Sequence, residues 1–132
     1  NSKKGRNRMI ELAPISDQDE IKRLFCENQL DYNDNSGCVK ANCGGEVLGF
    51  SLYDMDKSGI TVFKISPEDD LALADGVLRS TLHVAAQRSI MDAYYGSKSV
   101  QTLCERLNFI KNREEKRIDI NKLFQSCCEC GK

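Results

Sequence analysis

Hydrophobic and polar positions alternate along "MIELAP", residues 9–14, with the two-residue period of a β-strand. The period then changes. Ile21, Leu24 and Phe25 recur at i, i+3 and i+4 behind Ser16 and an acidic first turn, which predicts a helix that ends near Asn28. The Asn/Asp-rich "LDYNDNSG" reads as a loop. "CVKANC" (38–43) and "EVLGFSLY" (46–53) are strands joined by a hairpin turn at Gly44 and Gly45. "DMDKSG" is a second turn, and "ITVFKI" (60–65) is a β-rich run suited to the centre of a sheet. Three strands joined by tight turns make an antiparallel meander.

In "LALADGVLRSTLHVAAQ" the positions Ala74, Val77, Leu78, Leu82 and Ala85 fall on one stripe, so residues 71–87 form an amphipathic helix. His83 and Arg79 lie off that stripe. "SIMDAYY" (89–95) reads as a strand. "SKSVQTLCERLNF" reads as a short helix with Val100, Leu103, Cys104 and Leu107 facing inward, and 109–111 with 117–120 as a closing strand pair. The order is β-α-β-β-β-α-β-α-β-β, an α/β fold with a mixed sheet. Strands 60–65 and 89–95 are expected to be parallel neighbours, with helix 71–87 as their crossover.

Composition narrows the classes. The chain has 132 residues, enough for one domain with a core, and 19 Lys+Arg against 20 Asp+Glu leave a net charge of −1. That balance argues against a dedicated nucleic-acid binder. No apolar run is long enough for a membrane span, and no apolar stretch follows the basic start as in a secretory signal, so a cytoplasmic protein is expected. Residues 1–8, with no apolar side chain, read as a disordered arm or an artefactual remnant, 9–120 as one domain, and 121–132 as a Cys-rich tail. The seven cysteines are odd in number and irregular in spacing, which fits free thiols rather than disulfides. Cys127, Cys128 and Cys130 form C-C-x-C, unlike the spaced pairs of structural zinc sites, so no metal is expected.

The element order, with "ITVFKI" leading into "LALADGVLRSTLHVAA" and "LCERLNFIKN" further on, resembles the GNAT acetyltransferase superfamily over most of residues 9–120. In that family a strand enters a loop of the form (Arg or Gln)-x-x-Gly-x-(Gly or Ala) and then a helix, and the second stretch resembles the family's "lYekLGF". The resemblance implies a GNAT-like acyl-CoA N-acyltransferase fold, with acetyl-CoA bound as co-substrate. Its pyrophosphate would lie on the amides of the helix N-terminus, where unpaired N–H groups and the helix dipole favour anions. The pantetheine arm would lie where strands 60–65 and 89–95 splay. The cofactor-contacting residues implied are Phe63, Ile65, Leu71, Ala72, Leu73, Ala74, Asp75, Gly76 and Val77.

The sequence departs from the family pattern. Leu71 replaces the Arg or Gln, Ala74 the first Gly, and Gly76 keeps the last. Glu68, Asp69 and Asp70 add repulsion toward a pyrophosphate. The same residues have a local reading: Ser66 as helix cap, Pro67 in the first position, and Glu68 and Asp69 in an acidic first turn. Cys104 stands where many family members place the tyrosine that protonates the departing thiolate, and it also fits a buried apolar position. Tyr94 and Tyr95 end the strand beside the cleft, and alternation turns one of them, Tyr95 by preference, toward it. Glu46, Asp54 and Asp92 lie on or beside cleft strands as carboxylates able to take an amine proton through water. Asn108 replaces a glycine before Phe109 and tolerates the left-handed conformation that stops a helix.

Two functions follow. The first is a small N-acetyltransferase acting on a small-molecule or peptide amine, as a monomer or homodimer, with no nucleic-acid or membrane partner. The second is a non-catalytic GNAT-like domain that binds a partner or small ligand.

Overall fold

The structure, a computed structural model, describes residues 9–124. Seven strands form one sheet: β1 (Ile10–Pro14), β2 (Ser36–Cys43), β3 (Glu46–Asp56), β4 (Gly59–Ser66), β5 (Ala93–Tyr95), β6 (Ile110–Asn112) and β7 (Arg117–Ile118), in the spatial order β1-β2-β3-β4-β5-β7-β6. Three helices pack on it: α1 (Gln18–Glu27), α2 (Leu71–Gln87) and α3 (Lys98–Leu107). Every pairing is antiparallel except β4 with β5, which α2 connects. This is the expected order, including the parallel pair. The hairpin between β2 and β3 turns through Gly44 and Gly45, both at positive φ, the conformation such a two-residue turn requires.

The core is divided by the sheet. The larger cluster gathers the apolar stripe of α2 (Ala74, Val77, Leu78, Leu82 and Ala85, all buried) with Ile60, Val62 and Ile65 of β4 and Val100, Leu103 and Cys104 of α3. The smaller one joins Ile21 and Phe25 of α1 to Cys38 and Leu52. A half-buried ion pair, Lys40 to Glu20 at 2.6 Å, fastens α1 to β2. Inside the larger cluster Ser51 and Thr81 share a buried hydrogen bond of 2.6 Å between β3 and α2, and Thr81 also donates to the Val77 carbonyl.

Several boundaries differ from the sequence expectation. The loop 30–37 is shorter, because Ser36 and Gly37 already pair with Asp54 and Tyr53, so β2 and β3 outrun their predicted ends. Asp17, not Ser16, caps α1, accepting from the N–H groups of Asp19 and Glu20. Ser66 does not cap α2. It is the last residue of β4, paired with Phe50, and it is joined by a cis peptide bond to Pro67. Asp70 caps instead, accepting from the Leu73 N–H at 3.1 Å. Strand 89–95 shrinks to Ala93–Tyr95, because Ser89 closes the end of α2 at positive φ and its N–H returns to Ala86. Asn108 stops α3 as expected, at φ 64° and ψ 41°. Residues 122–124 form a helical turn whose Leu123 packs against the core.

Candidate active site

The site is made by an irregularity in β4. Leu52 pairs with Lys64 but its neighbour Tyr53 pairs with Val62, so Phe63 is an extra residue on β4, a β-bulge. A bulge bends its strand and re-aims the side chains around it. Val62 and Ile65 both enter the large core, while Phe63 is pushed to the α1 side among Leu52 and Phe50. Pairing with β5 stops at the same place: Ile60, Thr61 and Val62 match Ala93, Tyr94 and Tyr95, and the Gly96 N–H closes the ladder on the Val62 carbonyl at 2.8 Å. Beyond it the chain turns into α3, capped by Ser97 on the Val100 N–H. Residues 63–66 of β4 therefore have no strand on their β5 side.

The space so opened is a cleft of about 200 Å3 between the end of β4, the β4–α2 loop and α3, lined by Ile65, Glu68, Ser99, Thr102, Leu103 and Arg106. Ile65 and Leu103 make an apolar floor. Ser99, Thr102 and Arg106 recur at i, i+3 and i+7 along one flank of α3. A second pocket of about 280 Å3 borders Thr61, Phe63 and Tyr94 on the side to which Phe63 is turned, with Asn33, Asp54 and Asp56 on its rim. A third depression, an open groove of about 580 Å3, runs between β1, β3 and the start of α2.

The nine residues expected to contact a cofactor are spread among these features. Ile65 alone lines the cleft against α3. Phe63 lines the pocket on the other side. Ala72, Leu73 and Gly76 border the open groove. Ala74 and Val77 are buried in the core, and Leu71 is exposed. Asp75 is held by Arg79 at 2.9 Å. Ser99, Thr102 and Arg106 are not among the residues expected from the sequence; their i, i+3, i+7 spacing beside the inward stripe of α3 is the signal available there.

Neither residue expected to be catalytic reaches the cleft. Cys104 is fully buried, and burial, with Glu105 nearby, pushes its thiol up to about 12. Tyr95 is buried and its hydroxyl donates to the Arg113 carbonyl at 3.3 Å. Tyr94 borders the second pocket. Of the carboxylates, Asp54 accepts from Ser36 Oγ at 3.0 Å and Asn33 Nδ2 at 3.1 Å, and it faces that pocket. Asp92 is paired with Arg117 at 2.6 Å, and Glu46 lies at the opposite end of β3 from Asp54. His83 is exposed on α2, as its place off the apolar stripe implied.

The thiols make a direct check of this geometry. Cys38, like Cys104, is fully buried and pushed up to about 12, chiefly by burial, whereas Cys26 is exposed. A shift from 9.0 to about 12 lowers the thiolate fraction at pH 8 about a thousandfold. Iodoacetamide at that pH, followed by peptide mass mapping, should label Cys26 within minutes and leave Cys38 and Cys104 unlabelled until the protein unfolds. Equal labelling of Cys26 and Cys104 would contradict the packing. Cys127, Cys128 and Cys130, and with them the zinc question, lie outside the described residues. So does the 1–8 arm.

No family model and no curated protein matches the sequence. Solved structures do match the fold. The ribosomal-protein-S18-alanine N-acetyltransferase of Escherichia coli superposes with a TM-score of 0.56 at 13% identity, covering 79% of each chain. A protein of Desulfovibrio desulfuricans assigned to the GNAT acetyltransferase family gives 0.54 at 11% identity, over 79% of this chain and 87% of its own. A predicted acetyltransferase of Clostridium acetobutylicum, solved with acetyl-CoA, gives 0.50 at 13% identity, over 79% and 92%. The chain has the GNAT fold. At these identities the likeness carries the architecture and not the chemistry.

The residues can be tested against an acetyl-CoA. The strand-free edge of β4 and the apolar floor of the cleft suit a slender pantetheine arm. The start of α2 suits a pyrophosphate less well, because Asp70 already takes the Leu73 N–H and Glu68 and Asp69 stand beside it. No helix of the described residues is long and apolar enough to cross a membrane.

Proposed function

We propose that the protein is a small GNAT-type N-acetyltransferase that moves an acetyl group from acetyl-CoA to an amine, in the cytoplasm, where an exposed thiol such as Cys26 would persist. The observation that carries this reading is the bulge at Phe63, with the end of β4–β5 pairing beside it. Together they leave a stretch of strand backbone exposed between two pockets. Acetyl-CoA supplies a thioester, and the amine nitrogen bonds to its carbonyl carbon as the C–S bond breaks.

The chain's part is mainly positional. The cleft against α3 takes the arm, the strand edge offers backbone groups to the carbonyl, and the pocket bordered by Asp54 and Tyr94 takes the acceptor. Asp54 is the carboxylate placed to receive the amine proton, through water. The departing thiolate takes its proton from solvent, since Cys104 is enclosed and Tyr95 borders neither pocket. The acceptor is a small or peptide amine that fits a shallow, partly acidic pocket. Ribosomal-protein alanine, on which the Escherichia coli neighbour acts, is one peptide-amine precedent.

A non-catalytic binding domain is the second reading, favoured by the Asp70 cap on the Leu73 N–H and the acids beside it at the start of α2. Coenzyme A separates the two. At a hundredfold excess over Kd, a ligand that binds only the folded state adds about 2.7 kcal/mol of stability, which a thermal-shift assay detects readily. Replacing Asp69 and Asp70 together by Asn keeps a capping side chain and removes two negative charges from the loop past which an anionic donor approaches. Calorimetry should show coenzyme A affinity rising several-fold, more at low salt than at high. No coenzyme A binding by the wild type would exclude the acetyltransferase. Binding without acetyl transfer to any of a panel of amines and peptides would favour the second reading.

A further inference from the structure

The sequence resemblance places the donor's phosphates on the amides at the start of α2, but the structure already gives one of those amides, Leu73, to the protein's own carboxylate. Asp70 Oδ1 accepts from the Leu73 N–H, and the Asp70 carbonyl accepts from Ala74. Glu68 and Asp69 are exposed on the approach. An anion arriving there would compete with the cap for that N–H and meet like charges.

Across the cleft the electrostatics reverse. Arg23, Arg79, Arg113 and Arg117 each hold a carboxylate, whereas Arg88 and Arg106 have no acidic partner within 4.0 Å among the described residues, and of these two only Arg106 borders the cleft. Its side chain borders the cleft one helical turn beyond Thr102 and two beyond Ser99, so a guanidinium and two hydroxyls share one wall above the Ile65–Leu103 floor. The one acid on the opposite wall, Glu68, has Lys64 at 3.5 Å. A planar guanidinium is suited to two phosphate oxygens at once, and hydroxyls donate to a third.

We infer that α3, through Arg106 with Ser99 and Thr102, holds the phosphate groups of the acyl donor, in place of the α2 amides. This rests on the acetyl-CoA reading above and assigns it a positioning residue on a different helix from the one the family pattern indicates. The ligand class is a phosphate-bearing pantetheine thioester, with the apolar floor under the arm and the cation at its phosphorylated end.

The test is calorimetry with two probes, coenzyme A and pantetheine, which lacks phosphate, on the wild-type chain and on Arg106→Gln and Arg106→Lys. Arg106 is exposed on α3, so its variants should melt with the wild type. Arg106→Gln should weaken coenzyme A by about tenfold or more while leaving pantetheine unchanged, and Arg106→Lys should recover part of the loss. The salt dependence of coenzyme A binding should flatten in Arg106→Gln alone. Equal coenzyme A affinity in the wild type and Arg106→Gln would overturn the inference and leave the acetyltransferase reading standing. No coenzyme A binding by the wild type would overturn both.

Discussion

Phe109→Ala should cost about 3–5 kcal/mol, the range for deleting a fully buried aromatic ring, a large share of a total stability on the order of 5–15 kcal/mol. The ring has no solvent exposure and joins three segments. It follows directly on the left-handed Asn108 that ends α3, its own N–H returning to the Cys104 carbonyl at 2.8 Å. The Arg79 guanidinium of α2 lies 5.1 Å from its centroid, and the Lys122 ammonium of the C-terminal turn 5.8 Å away. Lys122 also donates to the Asn108 carbonyl at 2.7 Å. Truncation would leave a cavity between α2, α3 and the final turn and remove the face on which both cations rest. Urea unfolding gives the number. Phe124→Ala is the control, the same residue type at 45% exposure, and should stay within about 0.5 kcal/mol of wild type. A Phe109→Ala loss below about 1 kcal/mol would mean that this corner is not packed as described.

That corner also shows which parts of the fold local sequence can reveal. The stop after α3 was readable because Asn108 itself tolerates the conformation required, and the neighbouring Phe109 has nowhere to go but the core. The α2 stripe was readable because five apolar residues at helical spacing need a single buried face. Each of those signals is contained in the segment that uses it.

The bulge at Phe63 is different in kind. It exists only as a mismatch between β4 and β3, and "ITVFKI" read alone alternates no worse with Phe63 paired than with Phe63 extra. The choice of cap for α2 failed for the same reason. Ser66 and Asp70 are both good capping residues, and the pairing of Ser66 with Phe50 decides between them by keeping Ser66 in the sheet. The cleft wall on α3 was hidden by an ambiguity of chemistry: Ser99, Thr102 and Arg106 read equally well as an outward polar face until β4 and its loop are placed opposite them. What was missed in the site depends on pairing across the sheet or on the position of a second element.

The same closeness of β3 to the end of β4 predicts the effect of one added methyl group. Gly49→Ala should destabilise by about 1–3 kcal/mol or more, as overpacking does where no side chain can move aside. A Cβ at Gly49 would collide with the Ser66 carbonyl oxygen and lie 2.9 Å from Pro67 Cδ. The obstacle is backbone and a proline ring, so relief requires β3 and the end of β4 to part where Phe50 pairs with Ser66. That displacement would pass through Pro67 to Glu68, which lines the cleft against α3, so coenzyme A affinity should fall along with stability. Gly76→Ala sets the sign by contrast. There a Cβ would meet only Leu12 Cδ1 at 3.6 Å, an ordinary contact, and alanine inside a helix gains about 0.5–1 kcal/mol over glycine. Thermal unfolding of the two variants should therefore move in opposite directions from the wild type. Should Gly49→Ala melt at or above the wild-type temperature, β3 and the end of β4 do not approach as closely as the structure has them, and the geometry of the cleft entrance would have to be redrawn.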